Sequence, residues 1–120
     1  MPSQAAQLAR HGDTVLIDAG LYLNDYAVWH QDNLSIRGAG GFAHLHSNAL
    51  IPNNKGIWII NGQNTLIENL EFSGARVRST NGAGIRHQGG DLTLRNTFFH
   101  DNEFSILSGV NRRARIEVEN

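Results

Sequence analysis

The chain has 120 residues, 40% hydrophobic and 18% charged, with a formal net charge of −1. A domain of this length can bury a core, and its even charge balance gives no electrostatic pull toward nucleic acid or an anionic membrane surface. The absence of Cys excludes disulfides and thiolate chemistry, and no apolar run approaches the roughly 20 residues of a membrane-spanning helix.

Residues 3–10 read as a short helix, with Ser3 as N-cap and Ala5, Leu8 and Ala9 as an apolar face. A helix this short is marginal alone, so its expected task is to cover the first coil of a repeat structure. The first residues carry no basic, apolar, small-residue leader pattern.

From residue 13 onward the period changes to two, that of half-buried strands. Five segments align: Asp13-Thr-Val-Leu-Ile-Asp18, Asn33-Leu-Ser-Ile-Arg-Gly38, Asn64-Thr-Leu-Ile-Glu-Asn69, Asp91-Leu-Thr-Leu-Arg-Asn96 and Arg115-Ile-Glu-Val-Glu-Asn120. They place Ile17, Ile36, Ile67, Leu94 and Val118 in one column, and Val15, Leu34, Thr65, Leu92 and Ile116 in another. Asn69, Asn96 and Asn120 recur at spacings of 27 (96−69) and 24 (120−96), and Phe72 and Phe99 each follow an Asn by three. Asn tolerates turn conformations and its amide both donates and accepts, so stacked copies form a ladder along the axis.

A second column lies upstream in each coil. Gly56-Ile-Trp-Ile-Ile-Asn-Gly62 matches Gly84-Ile-Arg-His-Gln-Gly-Gly90 at an offset of 28, with Ala27-Val-Trp-His-Gln31 and Phe104-Ser-Ile-Leu-Ser-Gly109 as looser copies. This alignment puts Val28, Ile57, Ile85 and Ile106 inward. Two strand columns repeating together indicate a solenoid rather than a sandwich. Loops are expected at Gly38–Asn54, Gly74–Ala83 and Gly109–Ala114.

These repeats, with Gly84-Ile85, His100-Asp-Asn-Glu-Phe-Ser-Ile-Leu107 and the run from Ala5 to Tyr22 that carries Gly12-Asp-Thr14 and Gly20-Leu-Tyr22, resemble the parallel β-helix proteins of the pectate-lyase-like superfamily. The resemblance covers nearly the whole chain. It implies an all-β, right-handed parallel β-helix of about four to five coils, a single domain over 1–120 with coils from residue 13. Val118-Glu-Asn120 has no following turn or cap, so further coils are expected beyond it. Self-association through the open last coil is expected as well. The family's chemistry implies a lyase or epimerase of acidic polysaccharide, secreted or periplasmic, with Ca²⁺ as the one implied cofactor. The alternative is a non-catalytic β-helix module for glycan binding or a structural, adhesin-like role.

With Val28, Ile57 and Ile85 inward, Trp29, Trp58 and Arg86 form an outer column, with Leu107 above. Two indole faces and a guanidinium would suit a uronate-containing sugar chain. A one-residue shift in the alternation would turn the tryptophans inward. Lyase chemistry needs a carboxylate neutraliser and a base, for which Lys55, Arg86 and Arg95 are candidates; Asp91 and Asp101 are candidate Ca²⁺ ligands. No three carboxylates align, and Asp101 also suits a turn.

His44 and His46 share a strand face, half of a metal site, but their neighbourhood reads as loop and no third ligand is evident. His87 falls on an inward position together with His30 and Ile59, where a backbone carbonyl would satisfy the ring. His100 and Asp101, as strand neighbours, are expected to point apart. Arg112-Arg-Ala-Arg115 reads as a solvated turn.

Overall fold

The computed structural model describes residues 1–109 and 113–120. Helix α1 (Pro2–Leu8) precedes strands β1 (Thr14–Leu23), β2 (Ala27–Trp29), β3 (Ser35–His46), β4 (Gly56–Ile60), β5 (Thr65–Glu68) and β6 (Leu70–Ser73). These are followed by β7 (Ala83–His87), β8 (Leu92–Arg95), β9 (Phe98–His100), β10 (Phe104–Ser108) and β11 (Ile116–Glu119). Strand pairing is parallel throughout. One sheet runs β11-β8-β5-β3-β6-β9 with β1 on β3, and the other runs β10-β7-β4-β2. The first sheet has two arms, because β1 and β3 are long enough to pass through a corner. The first half of β3 pairs with β5, and its second half with β6. The result is a parallel β-solenoid of about four turns.

The corner has a chemical basis. In β3 it is turned by Gly40 and Gly41, at φ 83° and 144°; in the next two coils it is turned by Asn69 and Asn96, at φ 59° and 47°. Few residues other than Gly and Asn enter this left-handed region readily. The Asn96 amide donates to Asn69 Oδ1 at 2.8 Å, and the Asn69 amide donates to the Gly38 carbonyl at 3.3 Å. Gly38 is required there, since a Cβ would sit 2.2 Å from the Asn69 carbonyl oxygen. Asn120 joins the corner differently: it clasps the Thr97 backbone, accepting its N–H at 3.0 Å and donating to its carbonyl at 2.9 Å. A second rung links Asn64 to Asn33 at 3.0 Å, both with left-handed backbones.

The helix starts at Pro2, and Ser3 lies within it rather than capping it. The Ser3 hydroxyl and backbone N–H both bond the carboxylate of buried Asp25. The buried helix positions are Pro2 and Ala6, while Leu8 points to solvent. Gln31 donates to the carbonyls of Ala6 and Ala9, satisfying the helix end as α1 packs on β2.

Inside the solenoid, Ile36, Ile67 and Leu94 stack in register, as read from the sequence, and Phe72 stacks on Phe99 with centroids 5.3 Å apart and planes 10° apart. In the first coil the pairing slips by two, with Val15 rather than Ile17 opposite Ile36, which leaves the inward face unchanged.

The upstream column differs from the expected one. Gly56 pairs with Ala83, and Trp58 with Ile85, an offset of 27 rather than 28 (83−56). Because side chains alternate, a slip of one residue exchanges the two faces. Ala27, Trp58, Ile85 and Ile106 therefore point inward, as do Trp29, Ile60 and His87, whereas Val28 is 45% exposed. Trp29 and Trp58 are both 0% exposed, so neither indole can meet a sugar. They continue the aromatic core instead, with centroids 5.0 Å apart and Trp58 edge-on to Phe72 at 5.2 Å. Of the expected outer column, only Arg86 and Leu107 lie on the outer face. His87 is buried, its Nε2 bonded to the Gly90 carbonyl and its Nδ1 3.0 Å from Ser108 Oγ, whereas His30 is exposed.

Trp58→Ala is expected to cost about 3–5 kcal/mol in urea unfolding. Trp58→Phe should cost clearly less, because the indole N–H of Trp58 is buried without a partner. Equal costs for the two variants would contradict this packing.

Candidate functional site

The expected loop at Gly38–Asn54 begins later than the glycines imply. Residues up to His46 are strand, and Gly40 and Gly41 bend β3 without ending it. This places His44 and His46 on a rigid element. Leu45, Phe72 and Phe99 form the inward column of this arm, so their neighbours point outward. Across three successive coils the outward residues are His44 beside Glu71, and His46 beside Ser73 beside His100.

Their polar atoms converge. Ser73 Oγ lies 2.6 Å from His44 Nε2 and 2.7 Å from His46 Nδ1. A hydroxyl has one proton to give, so at least one of these rings donates to it. Glu71 Oε2 is 2.5 Å from His100 Nε2 and 3.5 Å from His44 Nε2. His100 Nδ1 lies 3.1 Å from Asp101 Oδ2, against the expectation that the two point apart. The reason is local: Asp101 has φ 58°, a left-handed turn residue to which strand alternation does not apply. Exposed Leu21, Leu23 and Phe98 flank the cluster.

The imidazoles are pushed in opposite directions from their ordinary value of 6.5. The Glu71 carboxylate, then that of Asp101, raises His100 against the opposing effect of burial. Burial chiefly lowers His44, opposed by Glu71 and reinforced by the charges of His100 and His46.

A groove of about 440 Å³ adjoins this face, lined by His46, Ser47, Asn48, Ala49, Leu50, Gly74, Arg76 and Asp101. Its walls are the segments 47–55 and 74–82, nine residues each between their flanking strands, where the corresponding segments 24–26 and 101–103 have three. The long segments are fixed in place. Glu103 accepts the N–H groups of Val77 and Gly82, Asn102 accepts that of Ala75, and Asn54 donates to Ser79. Arg76 donates through one nitrogen to the carbonyls of Ala75 and Asp101, which holds its guanidinium at the groove.

The other expected site residues are not brought together. Lys55 precedes β4, and Arg95 is paired with Glu119 at 3.0 Å in an alternating surface column that also holds Arg37 and Glu68. Arg86 has a buried Nε without a partner. Asp91 accepts the Arg115 N–H and lies before β8, whereas Asp101 lies after β9 beside His100. Among the described residues they form no shared oxygen cluster for Ca²⁺. Arg113 and Arg115 are exposed, and Arg112 lies outside the described residues, as do parts of the expected loop at Gly109–Ala114.

Glu71, Ser73 and Arg76 were not singled out from the sequence. The signal was the spacing of 27 applied to the four residues that follow Asn69 and Asn96 and carried back one coil, which aligns Ala43-His-Leu-His46, Leu70-Glu-Phe-Ser73 and Thr97-Phe-Phe-His100. Comparison with family models, curated proteins and solved structures finds no match to this chain.

Histidine titration by NMR should find His100 losing its proton at higher pH than His44. Glu71→Gln should bring His100 down toward 6.5 and, by removing the one influence that raises it, move His44 further down. The His100 bond to Glu71 stabilises the fold fully below the unfolded value and loses its contribution as pH rises through the raised folded value. Coincident midpoints for the two rings would refute this arrangement.

Proposed function

We propose that this chain is a carbohydrate-active β-helix module that takes acidic polysaccharide into the groove beside the histidine face and acts there in the manner of a lyase or epimerase. The observation that carries this reading is the groove itself. Two successive coils lengthen their loops at one corner only, and insertions gathered on one face of a solenoid are where ligands are commonly bound. The residues on its floor and walls match the needs of uronate chemistry. Arg76 offers a guanidinium for a sugar carboxylate, a geometry that favours bidentate pairing. His46, held by Ser73 through Nδ1, has an imidazole at the groove wall where a base is needed for the acidic C5–H of a uronate. A polymer substrate of this class places the module's work outside the cytoplasm.

The test is incubation with alginate, pectin and glycosaminoglycans, following unsaturated uronide by ultraviolet absorbance and binding by affinity electrophoresis, with a neutral glucan as control. Binding selective for the acidic polymers is expected, with Arg76→Ala weakening it at least tenfold and His46→Ala removing turnover while binding survives. Equal retention by the neutral glucan, or an Arg76→Ala variant that binds as the parent does, would end this reading.

A further inference from the structure

We propose that His44, Glu71 and His100 form a binding site for a divalent transition-metal ion, of the zinc or cobalt class, with at least one coordination position open to solvent. This does not depend on the sugar reading, because the site lies on the histidine face and its ligands are separate from Arg76 and His46.

The first support is convergence. One ligand atom from each of the three side chains falls within 4.8 Å of the other two, and each side chain stands on a different coil. Bonds of about 2.0–2.1 Å in a tetrahedral site put ligand atoms roughly 3.4 Å apart. His44 Nε2 and Glu71 Oε2 already lie 3.5 Å apart. The His100–Glu71 pair, at 2.5 Å, needs to open slightly as the ion replaces the hydrogen bond. The widest separation has to close by no more than about 1.4 Å from the 4.8 Å bound, within the reach of side-chain rotation.

The second support is the outer layer around the ligands. A metal-binding imidazole is normally oriented by a carboxylate or carbonyl on its other nitrogen. Asp101 stands in that place for His100, at Nδ1, leaving Nε2 directed at Glu71. Buried Ser73 stands differently: it meets His44 at Nε2, the nitrogen offered to the ion, so that hydrogen bond is exchanged for the metal bond, and it also meets His46 at Nδ1. When His44 Nε2 turns to the ion, Ser73 keeps its bond to His46, so no buried hydroxyl is stranded.

The third support is the donor set. Two imidazoles and one carboxylate suit zinc, cobalt, nickel or iron and are unsuited to calcium, which takes an all-oxygen shell. Three protein ligands at a half-exposed position leave room for water or a substrate oxygen, the arrangement of reactive sites rather than closed structural ones.

The test uses the full chain, freed of metal by chelator and dialysis, and titrated with Co²⁺ while the visible d–d bands are followed. Zn²⁺ competition and calorimetry then give stoichiometry. One equivalent should bind with intense bands of low coordination number, and Zn²⁺ should displace it. His44→Ala, Glu71→Gln and His100→Ala should each weaken binding at least tenfold. His30→Ala, which removes an exposed histidine elsewhere, should change nothing. Circular dichroism of each variant checks the fold, and Glu71→Gln preserves shape if an alanine variant unfolds. Absence of a one-to-one complex, or Glu71→Gln binding Co²⁺ as tightly as the parent, overturns the proposal.

Discussion

Parallel pairing of successive coils leaves each loop free to vary in length but ties every strand residue to a partner one coil away. Between β3 and β5 the offset is 31 residues, between β5 and β8 it is 27, and between β8 and β11 it is 24. The step from 31 to 27 is taken at the corner inside β3, where residues 38–42 stand against Asn69 alone, and the step from 27 to 24 is taken by the loops. What a residue faces is therefore decided by its register alone, and an error of one position exchanges core for solvent. Gly38 makes the same point sterically. The coils stack so closely at the corner that a single added Cβ would strike the Asn69 carbonyl.

This constraint explains which parts of the molecule were legible in the sequence. The downstream column could be read because it carries its own marker. Asn69 and Asn96 must adopt a left-handed backbone, few residues do so cheaply, and Ile67 and Leu94 sit at a fixed distance before them. The Phe72–Phe99 stack followed from the same anchor. The upstream column has no such marker. Gly56 and Gly84 looked equivalent, yet Gly56 lies opposite Ala83, and a Cβ on Gly56 would come within 2.6 Å of the Ala83 carbonyl oxygen. Glycine was used as the alignment marker where it serves close approach. A check was present: the same coil spans 27 residues from Asn69 to Asn96, so an upstream offset of 28 required an unexplained extra residue.

The histidine face was hidden by a related ambiguity. Gly38-Ala-Gly-Gly41 has the composition of a loop, and nothing local tells a loop from a strand that bends through a bulge and then resumes its pairing. His44 and His46 thus appeared as a solvated pair with no third ligand. Their partners, Glu71 and His100, are 27 and 56 residues from His44 and come beside it only through the stacking of coils. Asp101 was placed correctly as a turn residue, and it is the turn that lets its carboxylate reach back to His100.

The arrangement also separates scaffold from site along one strand. In β3, β6 and β9 the inward residues Leu45, Phe72 and Phe99 build the aromatic and aliphatic core, and the residues between them carry the polar chemistry. Such a site inherits the rigidity of the core at His44 and Glu71, whose neighbours Ala43, Leu45, Leu70 and Phe72 on the same backbones are buried. The groove beside it draws on a different element, the nine-residue loops, of which 74–82 is held by Asn102 and Glu103 and 47–55 is tied to it through Asn54 and Ser79, and which can vary without disturbing the strands. A solenoid can in this way keep a fixed set of ligating side chains on its sheet while its loops set what reaches them. The metal site and the groove are thus separable in origin even though His46, bonded to the same Ser73 as His44, joins them.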